Sequence, residues 1–392
     1  MTRGTGRGKS PAAPRSVDVA QLAGVSQKTV SRVLNGERYV SEDVRRRVLE
    51  AAERLGYRLN SAARALASGR TRTIGVVALG TALYGPASLL IGVERAARDA
   101  GYALSVVNTL EGDPADIDGA VRSLLERGVD GIVVSEPIDE GAVQLAPEVP
   151  VLTLGTPAGA GPPASAIAAG VDSVELARVA TEHLLDLGHR TVHHLAGPQK
   201  WFAARDRQAG WREALTAHDR EQPVVVEGDW SAASGYEAGR ELAARSDLTA
   251  VFAANDDMAV GLMRFLTEAG LRVPEDVSVV GFDDIPLAAY VLPPLTTVRQ
   301  PFDDVAREGL RLLVHAIENP AAEPLAALSQ PVELVVRAST APPNPRRTRV
   351  QVRPASPAPD SAAHSPPPLS DTGPTGRVRS PSLNRGPRKG TA

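Results

Sequence analysis

In the stretch QKTVSRVLN (27–35), Gln27, Lys28, Ser31, Arg32 and Asn35 recur at spacings of one and three. A helix would set them on one face, opposite Val30 and Val33. These side chains suit base edges: Lys and Arg donate to guanine O6 and N7, and Gln pairs with adenine. The elements needed to present that face are also readable. Val17 to Ala23 forms a first short helix that ends at Gly24, a residue free to take a positive φ, and Ser26 caps a second helix from Gln27 to Leu34, which stops at Asn35-Gly36. Ser41 caps a third from Glu42 to Leu55, with Glu42 and Asp43 at its positive end and Gly56 closing it. Val19, Ala23, Val25, Val30 and Val33 are apolar and Ala20 is small, the pattern of two helices crossing closely through a glycine turn, a helix-turn-helix. A small solvated helical domain with an idle polar face is the plainer reading; the conjunction of caps, turn glycine, packing alanine and positive charge favours the first.

The charge distribution agrees with that reading. Residues 1 to 72 hold 15 Lys/Arg against 6 Asp/Glu and residues 341 to 392 hold 9 against 2, leaving 19 against 38 between them, although the total is only −3. Basic ends on an acidic body suggest that one end meets a polyanion. With 392 residues, 43% of them hydrophobic, the chain has room for two or three domains, and the absence of Cys excludes disulfide scaffolds, thiolate metal sites and thiol nucleophiles. No apolar core follows the basic N-terminus, so a secretory signal is not expected and a cytoplasmic, nucleoid-associated location is. The uncharged windows 74–93 and 149–171 are punctuated by Gly and Pro and read as strands and loops rather than membrane spans.

Residues 1–15 read as a disordered basic arm. The last 52 residues, with 12 Pro and no aromatic residue, read as a disordered tail, and with no leucine heptad a C-terminal coiled coil is not expected. Between them, near-continuous apolar runs at 74–79, 103–108, 131–135, 149–154, 191–197, 249–255 and 277–282 alternate with amphipathic stretches at 88–100, 115–127, 173–187, 203–217 and 256–269. Such runs are strands covered on both faces, and the alternation predicts parallel sheets in an α/β body of two doubly wound subdomains with a cleft between them.

The segment DVAQLAGVSQKTVSRVLNGERYVSEDVRRRVLEAAERLGYRLNSAARALASGRTRTIGVV, with HLLDLGHR, AANDDMAVG, VPEDVSVVGFDD and PPLTTVRQP further on, resembles the lac repressor family of bacterial transcription regulators over about residues 16 to 337. That resemblance implies a helix-turn-helix head (16–59), a hinge helix and linker (60–72) and a body similar to periplasmic sugar-binding proteins (73–340). It makes Gln27, Lys28 and Arg32 major-groove readers, with Thr29, Ser31 and Asn35 beside them. In NSAARALAS (60–68), Asn60 suits a helix cap and the alanines suit close helix pairing. By resemblance the hinge helices of a dimer enter the minor groove and Leu66 wedges a base step apart, bending the duplex; the plainer alternative is an alanine-rich linker.

Matching the motifs residue by residue puts Arg207, Trp230, Asn255, Asp283 and Gln300 around the cleft, with Leu83 and Tyr84 on the opposite lip. Arg207 and Asp283 would hold hydroxyl pairs and Trp230 would stack on a sugar ring. Each also has a structural reading: Arg207 and Asp283 as an ion pair, Asn255 as the cap of the helix at Asp256, Trp230 as core. Gly155 stands where the pattern has an aspartate, so the sugar the resemblance implies is a galactoside, a β-glucoside or a longer oligosaccharide. No GxSxG, Walker or HExxH motif is present and His193-His194 are adjacent in a strand, so an enzyme is not expected, nor any cofactor or metal. The expected partners are operator DNA, a sugar effector and a second copy of the chain, with no membrane. The alternatives are a soluble sugar-binding protein without DNA binding, and a regulator that needs a corepressor.

Overall fold

In the computed structural model, the described residues are 14–34, 39–57, 65, 69–109, 114–135, 148–155, 167–323, 325, 328 and 333–345. Asn35, Asn60, Leu66, most of the basic arm and the tail from 346 lie outside them.

The head is three helices, Ser16–Ala23, Gln27–Leu34 and Glu42–Leu55. Gly24 takes φ 65° between the first two. The Ser26 hydroxyl accepts from the Thr29 amide at 3.1 Å, Ser41 caps the third helix, and Gly56 closes it at φ 61°. Val19, Ala20, Ala23, Val30, Val33, Val48, Ala51 and Ala52 form one buried cluster, so most of the core is Ala and Val and the helices approach closely.

The body contains two sheets. The first joins β1 (Thr73–Leu79), β2 (Ala103–Thr109), β3 (Gly131–Ser135), β4 (Val151–Leu154) and β5 (Ile167–Ala169) in the order β2-β1-β3-β4-β5, all parallel. The second joins β6 (His193–Ala196), β7 (Val226–Glu227), β8 (Ala250–Ala253), β9 (Ser278–Asp283), β10 (Thr296–Arg299) and β11 (Glu333–Val335) in the order β11-β10-β9-β8-β6-β7. The expectation of purely parallel sheets needs one correction: β11 pairs antiparallel with β10, a common way to end an otherwise parallel sheet. These sheets define the N- and C-subdomains.

Three connections cross between the sheets. The chain leaves the first after β5 and enters the second through helix Ser173–Asp186, after β10 helix Phe302–Glu318 returns to lie on helix Tyr84–Asp99 and on β4 and β5, and the chain then crosses back to β11 in the second sheet. A methyl group on Gly92 would stand 2.7 Å from Ala306 Cβ, so glycine lets these two helices touch. Helix Tyr84–Asp99 starts four residues before the sequence pattern suggests. Pro86 lies in its first turn, where its missing amide hydrogen costs no helical bond, so Gly85-Pro86 opens the helix instead of preventing it.

Candidate functional site

In the head, Gln27, Lys28, Ser31 and Arg32 are exposed on the second helix and Val30 and Val33 are buried beneath them. Gln27 Nε2 donates to Ser16 Oγ at 2.7 Å, which ties this exposed face to the start of the first helix. Thr29 differs from its neighbours: it is half-buried and its hydroxyl lies 2.9 Å from that of Ser26, so it secures the helix start.

In the body, the candidate residues share one position in the topology, just beyond the carboxyl ends of parallel strands. Leu83 and Tyr84 follow β1, Arg207 is on helix Phe202–Ala217 after β6, Trp230 follows β7, Asn255 follows β8, Asp283 ends β9 and Gln300 follows β10. Crevices at that edge are where open α/β sheets bind ligands. Leu83, Tyr84, Gly85, Pro86, Trp201, Ala203, Arg207, Trp230, Asn255 and Asp283 line one cleft, which encloses about 360 Å³ with the open solvent at its mouth included.

The cleft is built on strain and burial. Trp230 (φ 74°), Asp283 (φ 113°) and Asp284 (φ 55°) all occupy the left-handed region without being glycine, and such strain persists only where the surroundings fix it. Here they do: Trp230 O accepts from Asn255 Nδ2 at 2.9 Å, and Asp284 is clamped by Arg299 at 2.7 Å and Arg337 at 2.6 Å. The Ile285 amide donates to Asp256 Oδ2 at 2.9 Å and the Thr297 hydroxyl to Oδ1 at 2.6 Å. Burial, aided by the Asp283 charge, pushes the Asp256 carboxyl well above its usual range.

Arg207, only 6% exposed, donates from Nη1 to Ala254 O, places Nη2 3.6 Å from Asp283 Oδ1, and holds its guanidinium 4.0 Å from the Phe282 ring centroid. Gln300 does not line the cleft with the others; its Nε2 donates to Asp283 Oδ1 at 2.7 Å and so orients the carboxylate. Burial raises the Asp283 carboxyl to about 6, against the opposing pull of Arg207 and the Gln300 hydrogen bond. The structural readings of the same residues also hold. Arg207 and Asp283 are an ion pair, Asn255 Oδ1 caps the helix at Asp256 by accepting from Met258 N at 3.0 Å, and Trp230 is buried, with its ring so close to Gly197 that a methyl group there would lie 2.2 Å away. The side chains expected to meet a ligand are therefore also the ones that build the walls.

Three buried N–H groups of the cleft residues, Trp201 Nε1, Arg207 Nε and Trp230 Nε1, have no hydrogen-bond partner among the described residues. Orphaned buried donors are costly and need a reason. Pro86, Trp201 and Ala203 were not singled out in the sequence. Among the described residues no group of three or more His, Asp or Glu is placed to hold a metal, and no helix is long and apolar enough to cross a membrane.

A three-helix head on a two-sheet body with a cleft at its strand ends defines a regulator class built from a DNA-binding module and a periplasmic-binding-protein-like module. Residues 17–60 match the family described as bacterial regulatory proteins, lacI family, and residues 181–340 match the periplasmic binding protein-like domain. The lactose operon repressor of Escherichia coli (strain K12) is 36% identical over 332 residues, covering 83% of this chain and 91% of that one. The crystal structure of the lac repressor dimer bound to operator and the anti-inducer ONPF superimposes with a TM-score of 0.72 at 34% identity, covering 83% of this chain and 98% of that one. A complex of the transcriptional regulator CelR with cellobiose gives 0.63 at 35% identity, covering 83% and 99%. The chain belongs to the lacI family of bacterial regulatory proteins.

Proposed function

We propose that this protein is a homodimeric, sequence-specific transcription repressor that holds an operator through its head and lets go when a sugar occupies the cleft. It is a regulator rather than an enzyme, and it acts at the nucleoid. The observation that carries the reading is the cleft itself: a buried Arg207–Asp283 pair and two indoles gathered at strand ends. Hydroxyl groups can accept from the guanidinium and give to the carboxylate, and an indole offers the apolar face that the C–H side of a sugar ring requires. The lac repressor structure is a dimer on operator and the CelR structure holds cellobiose, which favours a disaccharide, and the absence of the aspartate at Gly155 favours a glucoside over a galactoside.

For DNA, we assign base reading to Gln27, Lys28, Ser31, Arg32 and Asn35, a supporting role to Thr29, and minor-groove entry to the hinge with Asn60 as its cap and Leu66 as its wedge. Leu287, Tyr290 and Leu292, which are 52%, 84% and 92% exposed on the body, supply an apolar surface for pairing two copies. The test is a thermal-shift screen of mono- and disaccharides, run with and without operator DNA. A sugar that stabilises the free protein and destabilises its DNA complex supports repression with release. A sugar that stabilises the complex makes the protein corepressor-dependent instead.

A further inference from the structure

Trp201 is the N-cap residue of helix Phe202–Ala217 in the C-subdomain, yet its indole reaches the N-subdomain. A methyl group on Gly80, the residue after β1, would stand 2.8 Å from Trp201 Cη2 and 3.4 Å from Cζ2. Gly80 also has φ 58°, so both its backbone and its surroundings require glycine. Within its own subdomain the Trp201 ring meets Trp230 edge to face, with centroids 6.0 Å apart and planes at 84°. The residue is 2% exposed, lines the cleft, and lies in a continuous apolar cluster that includes Leu79 and Val134 from one sheet and Leu195 and Val251 from the other.

We propose that Trp201 is a positioning residue that latches the two subdomains together and carries cleft occupancy to the turn at Gly80 to Leu83, a reading that rests on the cleft being the sugar site. Close-packed contacts transmit displacement because they do not deform continuously. An occupant that braces or displaces the indole therefore acts on Gly80, which has no side chain to absorb the movement. The turn has its own reporter, since the Leu83 amide donates to Gly80 O at 2.8 Å.

Amide hydrogen exchange on the full-length, sugar-free protein tests the latch. In Trp201→Ala the Leu83 amide exchanges at least tenfold faster, in Trp201→Phe it stays within threefold of wild type, and Gly80→Ala behaves like Trp201→Ala. Gly101→Ala, at φ 76° with Arg72 as its neighbour, introduces the same backbone strain away from Trp201 and leaves Leu83 unchanged. Wild-type exchange at Leu83 in Trp201→Ala, or acceleration shared equally by the amides of β8, overturns the proposal. A second measurement uses cellobiose and lactose as probes. If either releases wild-type protein from operator, then at saturating probe the ratio of operator affinities without and with sugar falls toward one in Trp201→Ala, and an undiminished ratio overturns the latch. If wild type binds neither probe, the sugar reading fails for those two compounds and the exchange experiment alone decides the latch.

Discussion

Arg207 and Asp283 form an ion pair whose two members differ in how they can respond to losing each other. Nη2 lies 3.6 Å from Oδ1, and both residues are more than nine-tenths buried. Without Arg207 the Asp283 carboxyl, already raised to about 6, takes up a proton and becomes neutral. Without Asp283 the guanidinium cannot give one up and stays charged in the interior. Asp283→Ala is therefore expected to cost about 3 kcal/mol of stability and Arg207→Ala distinctly less, read from urea unfolding midpoints at pH 7.5. Equal losses would mean that the pair is not electrostatically isolated from water.

Gly197 tests the placing of Trp230 without changing any residue that lines the cleft. Because a methyl group at Gly197 collides with the Trp230 ring at 2.2 Å, Gly197→Ala pushes the indole out of place. Sugar affinity by calorimetry should drop at least tenfold, about 1.4 kcal/mol, while operator affinity holds. Unaltered sugar affinity would remove Trp230 from the binding surface.

His193 and His194 set the acid side of the stability curve. His194 is fully buried, stacked between Trp211 and Phe252 with ring centroids 5.3 and 4.9 Å away, and burial pushes its imidazole down to about 4; burial does the same to His193. Both are neutral in the folded protein at pH values where the unfolded chain, with imidazoles near 6.5, binds protons. Stability is therefore lost as pH falls from about 6.5 to 4, by roughly 2–3 kcal/mol per histidine at the lower end. His194→Phe should flatten that fall in melting curves taken from pH 7 to 4. A profile as steep as wild type would show that His194 is already charged when folded.

The head was readable in the sequence because its signals are local: Gly24, Ser26, Ser41 and Gly56 mark the ends of helices that the periodicity fills in. β1 to β4, β6, β8 and β9 were legible as apolar runs, whereas β5, β7 and β11 have two or three residues each, too few for a pattern, and β10 (TTVR) carries a single apolar residue. Helix Ala232–Ala243 is masked by Gly235 and Gly239, which lower helix propensity but are needed where the helix touches Met258 and Phe265. Arg207, Trp230, Asn255, Asp283, Leu83 and Tyr84 were identified through family resemblance and are brought to one cleft. Gln300 was placed there too, but it orients Asp283 from outside. Trp201 gave no signal, because nothing in AGPQKWF separates an indole on a cleft from one in a core. That distinction depends on Gly80, which reaches it only through the tertiary fold.

Base reading by the head predicts a dependence on salt and on sequence. Operator affinity should fall steeply with rising salt as phosphate contacts release counterions. Lys28→Ala and Arg32→Ala should each cost about 1–3 kcal/mol at particular base pairs rather than uniformly, measured by anisotropy on operator variants with single substitutions. A uniform loss across all variants would move these residues from the bases to the backbone.

The central claim, that a cleft occupant controls the hold on DNA, is tested most directly by titrating a preformed complex of operator and full-length Arg207→Ala with cellobiose, or with whichever sugar releases the wild type. Arg207 lines the cleft and is held by the Ala254 carbonyl, and loss of a buried charged hydrogen-bonding group lowers ligand affinity about a hundredfold. The account predicts that the variant binds operator as tightly as wild type and stays bound at sugar concentrations that empty the wild-type complex. Release of the variant at the wild-type midpoint would contradict it.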